Sequence, residues 1–373
     1  MSSSLGVLRS SVQQYRKNAG LGSTELARRA GITRQALHNI ETGHSGPTTV
    51  VALRLAQALM CRVDDLFSLI PSAVEARVIG EAQQGYRVRL ARVGTHLLAL
   101  PLQGAAGLNQ RGDGVIKAHH GSQVEVELSG NPALLERTVI LIGCDPSLEL
   151  LAAHTERDSP DLRVLTRQAS SQAALAELAA GNAHLAGIHL WDAGSGESNL
   201  PFVRRMGLDQ PLHVIALWTW EQGLLTAAGN PRGVQGVADL RGGDLRLINR
   251  DSGAGSRLML DGWLDAAGFG VSERQALPGY HDEVDSPLEA ARQVQVGAAD
   301  VAPGPRVAAQ ALGLNFLPLQ REHFDLIVPR DHLNHPAFKA LIHTARSPAF
   351  LLELATLGGY DAAQVGQLRG IVA

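Results

Sequence analysis

Three stretches in the C-terminal part of the chain combine small polar residues and glycines at predicted strand-to-helix junctions: residues 144–147, 168–171 and 249–257. Backbone N–H groups are unpaired at the start of a helix, and together with the helix dipole they attract anions. Serine hydroxyls add neutral donors to such a site. The sequence therefore predicts that these loops bind an anion or another small polar ligand. The predicted ligand residues are Cys144, Asp145, Ser147, Ser170, Ser171, Arg250, Ser252, Gly253, Gly255, Ser256 and Arg257.

An enzyme could use the same kind of cleft, but the common catalytic motifs are absent from the sequence. It contains no Gly-x-Ser-x-Gly elbow, no Walker motif and no His-Glu-x-x-His pair. Cys144 at a helix start could act as a nucleophile, although a small residue packed in a turn is the favoured interpretation. Adjacent His119 and His120 would point to opposite faces of a strand, and His332 and His335 have no Cys or carboxylate cluster nearby. We therefore expect no catalytic residue, no metal site and no cofactor.

The first 68 residues have the pattern of several short helices. A tight turn at residues 30–33 separates the second and third, and Thr33 supplies an N-cap oxygen for the third. Two helices joined in this way place the second where it can enter the major groove of DNA. This segment holds eight basic and four acidic side chains, whereas the whole chain has a net charge of −3. The charge distribution favours a polyanionic partner for this segment alone.

The order of residues 25–43, together with Pro47 and residues 55–59, resembles the Cro-like (XRE-type) repressor family. In that family the third helix reads base edges: Arg pairs with guanine, and Gln or Asn pairs with adenine. One departure is that Gly22-Ser23 stands where the family often has Ser or Thr followed by Gln. The DNA contacts that the resemblance implies are Arg34, Gln35, His38 and Asn39 for bases, Arg28 and Arg54 for phosphates, and Ser23 and Thr33 at the helix starts.

The rest of the chain divides into two regions of different pattern. Residues 86–93 and 123–128 alternate polar and apolar side chains, which predicts strands with one solvated face, and the Gly-rich segment 103–114 predicts a loop. From residue 138 onwards predicted strands alternate with helices, which indicates an α/β fold with largely parallel sheets. We therefore predict an all-α helix-turn-helix head at 1–68, a small β-rich connector at 69–137 and an α/β body at 138–373.

The body resembles the cytoplasmic relatives of type II periplasmic binding proteins, including molybdate-binding-like domains fused to helix-turn-helix heads. The resembling stretches are 143–151, 186–192, 221–231, 249–257 and 315–325. The resemblance implies two lobes that close on a ligand, adds His189 to the ligand residues and favours molybdate or tungstate. Two departures leave phosphate, sulfate or another small polar metabolite open. Residues 254–256 lack one hydroxyl of the Ser-Gly-Thr that oxyanion binders often have, and Asp285-Ser286 stands where relatives tend to have Thr-His.

The overall composition is that of a folded protein of several domains, with 373 residues, 45% hydrophobic and 18% charged. Its apolar stretches are too short for a membrane helix, no secretory signal pattern is evident, and two cysteines cannot form a disulfide framework. These features favour a cytoplasmic protein. The sequence thus predicts a ligand-responsive, DNA-binding transcriptional regulator that forms a homodimer. A cytoplasmic enzyme using the same cleft, a transport receptor and a constitutive DNA-binding scaffold are the alternatives.

Overall fold

A computed structural model describes residues 7–70, 73–129 and 132–373. The backbone contacts divide the chain into two compact units. One contains the residues up to 90 together with 99–132, and the other contains 91–98 together with 133–373. The domain boundaries expected at 68 and 137 stay predictions. Across the described ranges, every helix is too short or too polar to span a membrane.

The head is a bundle of short helices with a two-stranded antiparallel sheet that the sequence did not predict. The turn between its second and third helices bends at Gly31, whose φ of 69° lies in the left-handed region that favours glycine. The Oγ1 atom of Thr33 accepts a hydrogen bond from the N–H of Ala36 at 3.1 Å, so Thr33 caps the third helix as expected. Leu26 and Leu37 are fully buried between these helices. The elements are β1 (Val7–Ser10), α1 (Val12–Asn18), α2 (Ser23–Ala30), α3 (Arg34–Glu41), α4 (Thr49–Ala58), α5 (Val63–Leu66) and β2 (Phe67–Ile70).

The connector forms a closed five-stranded barrel with the order β3-β5-β4-β6-β7. Alternating side chains of its strands are buried, among them Val88 and Leu90 on one strand and Val124 and Val126 on another. The β-rich character predicted from this alternation is confirmed. The segment predicted as a loop, residues 103–114, contains a short helix. The elements are β3 (Ala73–Val78), β4 (Arg87–Val93), β5 (His96–Pro101), α6 (Gly104–Leu108), β6 (Gly114–His120) and β7 (Gln123–Leu128).

The body follows after a 3-10 helix at Pro132–Arg137 and begins with strand–helix units. Its first half contains β8 (Thr138–Gly143), α7 (Ser147–Asp158), β9 (Arg163–Gln168), α8 (Ser171–Ala179), β10 (Leu185–Ile188), β11 (Trp191–Asp192), β12 (Glu197–Ser198), α9 (Leu200–Arg204) and β13 (Leu212–Thr226).

The second half of the body continues with a 3-10 helix at Val237–Gly242, and a further one lies at Arg330–His332. Its other elements are β14 (Asn249–Arg250), α10 (Gly255–Ala266), α11 (Val271–Gln275), β15 (Glu283–Val284), α12 (Pro287–Gln295), β16 (Val301–Pro305), α13 (Arg306–Ala311), β17 (Asn315–Pro329), α14 (Pro336–Ala345), α15 (Pro348–Thr356), β18 (Tyr360–Asp361) and β19 (Leu368–Val372).

The main sheet of the body is mixed, which corrects the expectation of a largely parallel one. Its strand order is β16-β13-β17-β10-β8-β9, with β18 and β19 paired to β13. Parallel pairing joins β8 to β9 and to β10, whereas the pairs that involve β13 and β17 are antiparallel. Two 15-residue strands, β13 and β17, therefore form the antiparallel part of the sheet.

The long strands β13 and β17 contribute to separate hydrophobic cores at their two ends. Trp218 on β13 and Phe324 on β17 belong to a core with α7, α14 and α15, whereas Leu224 on β13 packs with α10 and β16. The body accordingly has two lobes, as the resemblance implied. The two strands cross from one lobe to the other near Gln222 and Gly223, where their pairing register shifts.

This crossing generates a prediction about stability. A Cβ atom on Gly223 would lie 1.9 Å from the carbonyl oxygen of Leu317 on the paired strand, so Gly223→Ala must push the two backbones apart. We expect the free energy of unfolding to fall by about 1–3 kcal/mol, as overpacking commonly costs. Urea unfolding followed by tryptophan fluorescence reports on the body, which contains all four tryptophans.

Gly262→Ala is the matched control for Gly223→Ala, because nothing lies within 4 Å of a Cβ atom at this position in α10. Alanine is the better helix former, so this variant should gain roughly 0.5–1 kcal/mol. Equal urea midpoints for the two variants would contradict the role assigned to the close approach at Gly223.

Candidate DNA-recognition surface and ligand cleft

The outward face of α3 carries the side chains predicted to read bases. Arg34, Gln35 and His38 are exposed, and Asn39 is half-buried. The Nε2 atom of Gln35 donates to Oδ1 of Asn39 at 3.2 Å, so the two amides lie side by side on consecutive turns. Arg34, Gln35 and His38 also line one concave surface together with Ser23 at the start of α2. The head therefore brings four of the predicted DNA residues to a single groove.

The remaining predicted DNA residues have different surroundings. Arg28 forms two hydrogen bonds with Glu25, which also pairs with Arg29, and these contacts lower the pKa of Glu25 to about 2. The guanidinium of Arg54 lies beside the turn at Gly31, and the hydroxyl of Thr33 serves as the cap of α3. Arg28 therefore shares its charge with a carboxylate, whereas Arg34 and Arg54 form no ion pair within the described part of the chain.

In the body, the loop after β9, the loop after β10 and the start of α10 meet at one place. The N–H of Gln172 donates to the carbonyl oxygen of Gly253 at 3.1 Å, and the N–H of His189 donates to Oγ of Ser171 at 3.1 Å. Gly255 approaches His189 so closely that a Cβ atom on it would lie 1.9 Å from the His189 carbonyl oxygen. Two of the three predicted loops thus come together, and His189 lies between them.

The residues of the third predicted loop, which follows β8, have different surroundings: one lies beside the cleft, and the others contact the interior. Cys144 is buried and interacts electrostatically with His189 and Arg250, which places it beside the other two loops. Asp145 instead accepts hydrogen bonds at 2.8 Å from Ser147, Trp218 and Tyr360. Burial raises the pKa of Asp145, and these donors oppose the increase. Asp145 and Ser147 are therefore engaged with protein groups, and their ligand role stays a prediction.

Several other predicted ligand residues also have protein partners. Arg257 pairs with Asp261 and Glu283, and its guanidinium lies 4.2 Å from the ring centre of Tyr280. Ser252 is exposed, whereas Ser170 is buried next to Gly253. The hydroxyl of Ser256 donates to Oε1 of Gln222 at 3.1 Å. Of the predicted set, Arg250 and His189 have a side-chain nitrogen that remains available at the cleft.

Unpaired buried polar atoms identify further residues of the cleft that the sequence analysis missed. Trp220 and Gln222 project from the same side of β13, and Glu322 lies opposite Trp220 on β17. No sequence pattern singles out Gln222 or Glu322, because both have polar neighbours in their strands. These residues and the two above each keep one buried atom without a hydrogen-bond partner among the described residues. The atoms are His189 Nε2, Arg250 Nη1, Trp220 Nε1, Gln222 Nε2 and Glu322 Oε1.

The electrostatics of the cleft centre on the pair formed by His189 and Glu322. Nδ1 of His189 lies 2.8 Å from Oε2 of Glu322, and both side chains are almost completely inaccessible to solvent. Burial alone would lower the pKa of His189, but the interactions with Cys144 and Glu322 outweigh it and raise that pKa to about 10. When the imidazole of His189 is protonated, its Nε2–H is a charged donor.

The paired histidines noted in the sequence, His119 with His120 and His332 with His335, have different surroundings. His119 and His120 are exposed on β6. His184 packs against the rings of His332 and His335, with centroid distances of 4.8 and 5.2 Å, and burial beside them lowers its pKa to about 3. Within the described ranges, no group of three or more His, Cys, Asp or Glu residues is arranged to hold a metal ion.

Comparison with known proteins covers both parts of the chain. Residues 152–346 match the model of the PBP superfamily domain, and residues 12–66 match a helix-turn-helix model. The uncharacterized protein YvgK of Bacillus subtilis is 31% identical over 244 residues, which are 65% of this chain and 76% of YvgK. An uncharacterized HTH-type transcriptional regulator of Methanothermobacter thermautotrophicus is 38% identical over 63 residues, 17% of this chain and 91% of that protein.

Solved structures with a similar course of the chain include two substrate-binding proteins. One is a putative phosphate ABC transporter substrate-binding protein from Clostridium perfringens, solved with bound phosphate, which is 14% identical in sequence. The match covers 59% of this chain and 97% of that chain, with a TM-score of 0.46. The other is the sulfate-binding protein SubI from Mycobacterium tuberculosis, which is 15% identical in sequence. That match covers 61% of this chain and 87% of the SubI chain, with a TM-score of 0.45. On the two family matches, the chain belongs to the PBP superfamily and carries a DNA-binding helix-turn-helix of the XRE type in front of its PBP-like domain.

Proposed function

We propose that this protein is a transcriptional regulator whose affinity for duplex DNA changes when a small oxyanion binds between the lobes of its body. The observation that carries the proposal is a set of five buried, unpaired polar atoms, of which three lie on β13 and β17, one on β14 and one directly after β10. Each such atom costs about 1–3 kcal/mol if nothing satisfies it. A bound ligand removes that cost, and four of the five atoms are hydrogen-bond donors.

The donors of the cleft favour a ligand rich in acceptors, such as an oxyanion. Its basic groups are His189 and Arg250, which lie against the carboxylates of Glu322 and Asp251 at 2.8 and 3.7 Å. The start of α10 adds its helix dipole next to His189, because Gly255 and Ser256 form the first residues of that helix. Molybdate and tungstate are the oxyanions that the sequence resemblance favours, with phosphate and sulfate as the alternatives.

The head provides the output of the proposed regulator. Its groove presents Arg34, Gln35 and His38 on α3, which is the helix that reads the major groove in this type of fold. Helix-turn-helix proteins commonly bind as dimers to two half-sites one helical turn apart. We therefore propose a homodimer on a pseudo-palindromic operator, acting in the cytoplasm where the chromosome is.

A cytoplasmic enzyme remains the second candidate because Cys144, His189 and Glu322 form a chain of thiol, imidazole and carboxylate. A nucleophile, a base and a group that orients the base are the parts of a thiol-dependent catalyst. Cys144 is completely buried, however, which disfavours attack on a substrate. Cys144→Ser separates the two functions, since it would abolish turnover, whereas the serine hydroxyl can still donate a hydrogen bond to an oxyanion.

The DNA-reading surface generates a prediction about specificity. Gln35→Ala should relax base choice at one position in each half-site and cost roughly 1–3 kcal/mol on the matching base, because the residue faces the groove beside Asn39. The measurement is fluorescence anisotropy of the full chain on an operator selected from random duplexes and on its single-base variants.

Arg28→Ala is the control for Gln35→Ala. It should weaken all duplexes alike and reduce the salt dependence of binding, because a phosphate contact carries no sequence information. The loss should be smaller than for Arg34→Ala, since Glu25 already shares the charge of Arg28. A selection that enriches no sequence would remove the main support for a regulator.

The cleft generates a prediction about coupling. Gln222→Leu removes a buried donor and should weaken oxyanion binding about 10- to 100-fold, the equivalent of one lost buried hydrogen bond, while DNA binding without ligand stays unchanged. Gln295→Leu on the surface of α12 serves as the control. Calorimetry measures the oxyanion affinity with phosphate, sulfate, molybdate and tungstate in turn.

Ligand should also change operator affinity by the coupling free energy, typically about 1–3 kcal/mol. Anisotropy with and without a saturating oxyanion tests this part separately. If an oxyanion binds but the operator affinity does not move, the body is a binding domain without control over the head.

A further inference from the structure

We infer that three histidines of the body form an acid-sensitive joint, which holds the β4–β5 hairpin at residues 91–98 only while the rings are uncharged. His332 and His335, which stand close together in the sequence, lie against the ring of His184 with centroid distances of 4.8 and 5.2 Å. The hairpin and the three rings belong to the same compact unit. Acidification is then an input to this unit that is separate from any ligand of the cleft.

His184 has both of its ring nitrogens committed to backbone groups. Nδ1 accepts a hydrogen bond from the N–H of Ile140 on β8 at 3.0 Å, and Nε2 lies 3.0 Å from the carbonyl oxygen of Arg92 on β4. A carbonyl oxygen only accepts, so the single ring proton is on Nε2. A second proton on Nδ1 would face the N–H of Ile140, donor against donor, in a residue that is 2% exposed. Taking up that proton therefore requires the ring to leave its place between β8 and the hairpin.

His335 is constrained in the same way at the start of α14. Its Nδ1 accepts from the N–H of Ala337 at 3.2 Å and so caps the helix, while the ring also donates to the backbone carbonyl of Glu136. A proton on Nδ1 would turn the cap into a repulsion between two donors. The carboxylate of Glu136 in turn pairs with the guanidinium of Arg92 in the hairpin. His335 therefore supports the same joint, again in its uncharged form.

His332 adds a charge to the joint when it is protonated. Its Nδ1 donates to the carbonyl oxygen of His184 at 3.0 Å, which leaves Nε2 as the nitrogen that can take a proton. The resulting charge would lie beside the ring of His184. In the described part of the chain, the other charged groups that interact with the three rings are Arg92 and Glu136, which pair with each other. The carboxylate at the cluster is thus already shared with a guanidinium.

The pKa values of the rings follow this geometry. Burial and the two neighbouring histidines lower the pKa of His184 to about 3, and burial beside His332 also lowers the pKa of His335. A released histidine titrates near its ordinary pKa of about 6.5. Above that pH the joint has its full stability, because neither state takes up the proton. As the pH falls below it, the released rings bind protons that the closed joint excludes, so the contact with the hairpin weakens.

Hydrogen exchange of the full chain, followed by mass spectrometry, tests the joint. Protection factors, which are corrected for the intrinsic effect of pH on exchange, are determined for peptides that cover residues 91–98. Between about pH 7.5 and about pH 5, the titration of His184 alone should lower this protection about 30-fold, given a pKa of about 6.5 when released and about 3 in the closed joint. Peptides from α10 in the other lobe should keep their protection.

His184→Gln keeps an N–H donor for the carbonyl of Arg92 but cannot titrate, so the drop in protection should shrink to about threefold or less. His335→Asn is the second variant, which keeps a good N-cap for α14 and should also make the drop smaller. His96→Asn is the matched control. It removes an exposed titratable ring from the same hairpin, so the drop should stay at the wild-type value.

Three results would overturn the acid-sensitive joint. The first is equal protection of residues 91–98 at both pH values. The second is a drop that His184→Gln and His335→Asn both leave at the wild-type value, because other groups would then cause it. The third is an equal drop in α10, which would be acid unfolding of the unit. The pH profile of the unaltered protein decides the first and third results without any variant, and failure of oxyanion binding would change none of them.

Discussion

The antiparallel crossing of β13 and β17 is the constraint on which the ligand cleft depends. Because the strands pair in a fixed register, Trp220 lies opposite Glu322, and Gln222 lies where both strands pass from one lobe to the other. A slip of this register by one residue would turn these side chains to the other face of the sheet. The approach at Gly223 leaves no space for a Cβ atom, so the backbones keep this alignment. The loops that carry His189 and Gly255 meet next to the polar side chains of these two strands.

The sequence predicted those parts of the cleft that depend on local structure. A serine or glycine at a helix start is visible as a pattern within a few residues, so the approach of residues 168–171 to 249–257 could be anticipated. The pair of His189 and Glu322 joins positions 133 residues apart and depends on how β10 and β17 lie in one sheet. No local pattern encodes that contact, and the long antiparallel strands were themselves hidden by the apparent alternation of strands and helices.

Asp145 illustrates why a residue type at a promising position does not define its role. The sequence places this carboxylate at a helix start beside Cys144, where a ligand contact is a reasonable expectation. In the folded chain it accepts from Trp218 on β13, from Tyr360 near the C-terminal end and from Ser147 of its own loop. It thus holds elements together that are far apart in the sequence. Whether a polar side chain faces a ligand or the interior is decided by partners that only the tertiary structure supplies.

A short strand relates the cleft to the connector within the second compact unit. His189 follows β10 directly, and His184 precedes it. Since His184 is neutral and its Nδ1 accepts from the N–H of Ile140 at 3.0 Å, its Nε2–H donates to the carbonyl oxygen of Arg92 at 3.0 Å. Arg92 lies on β4, whose earlier residues belong to the unit that contains the head. Four residues of buried strand therefore separate the contact of His189 with Glu322 from the contact of His184 with β4.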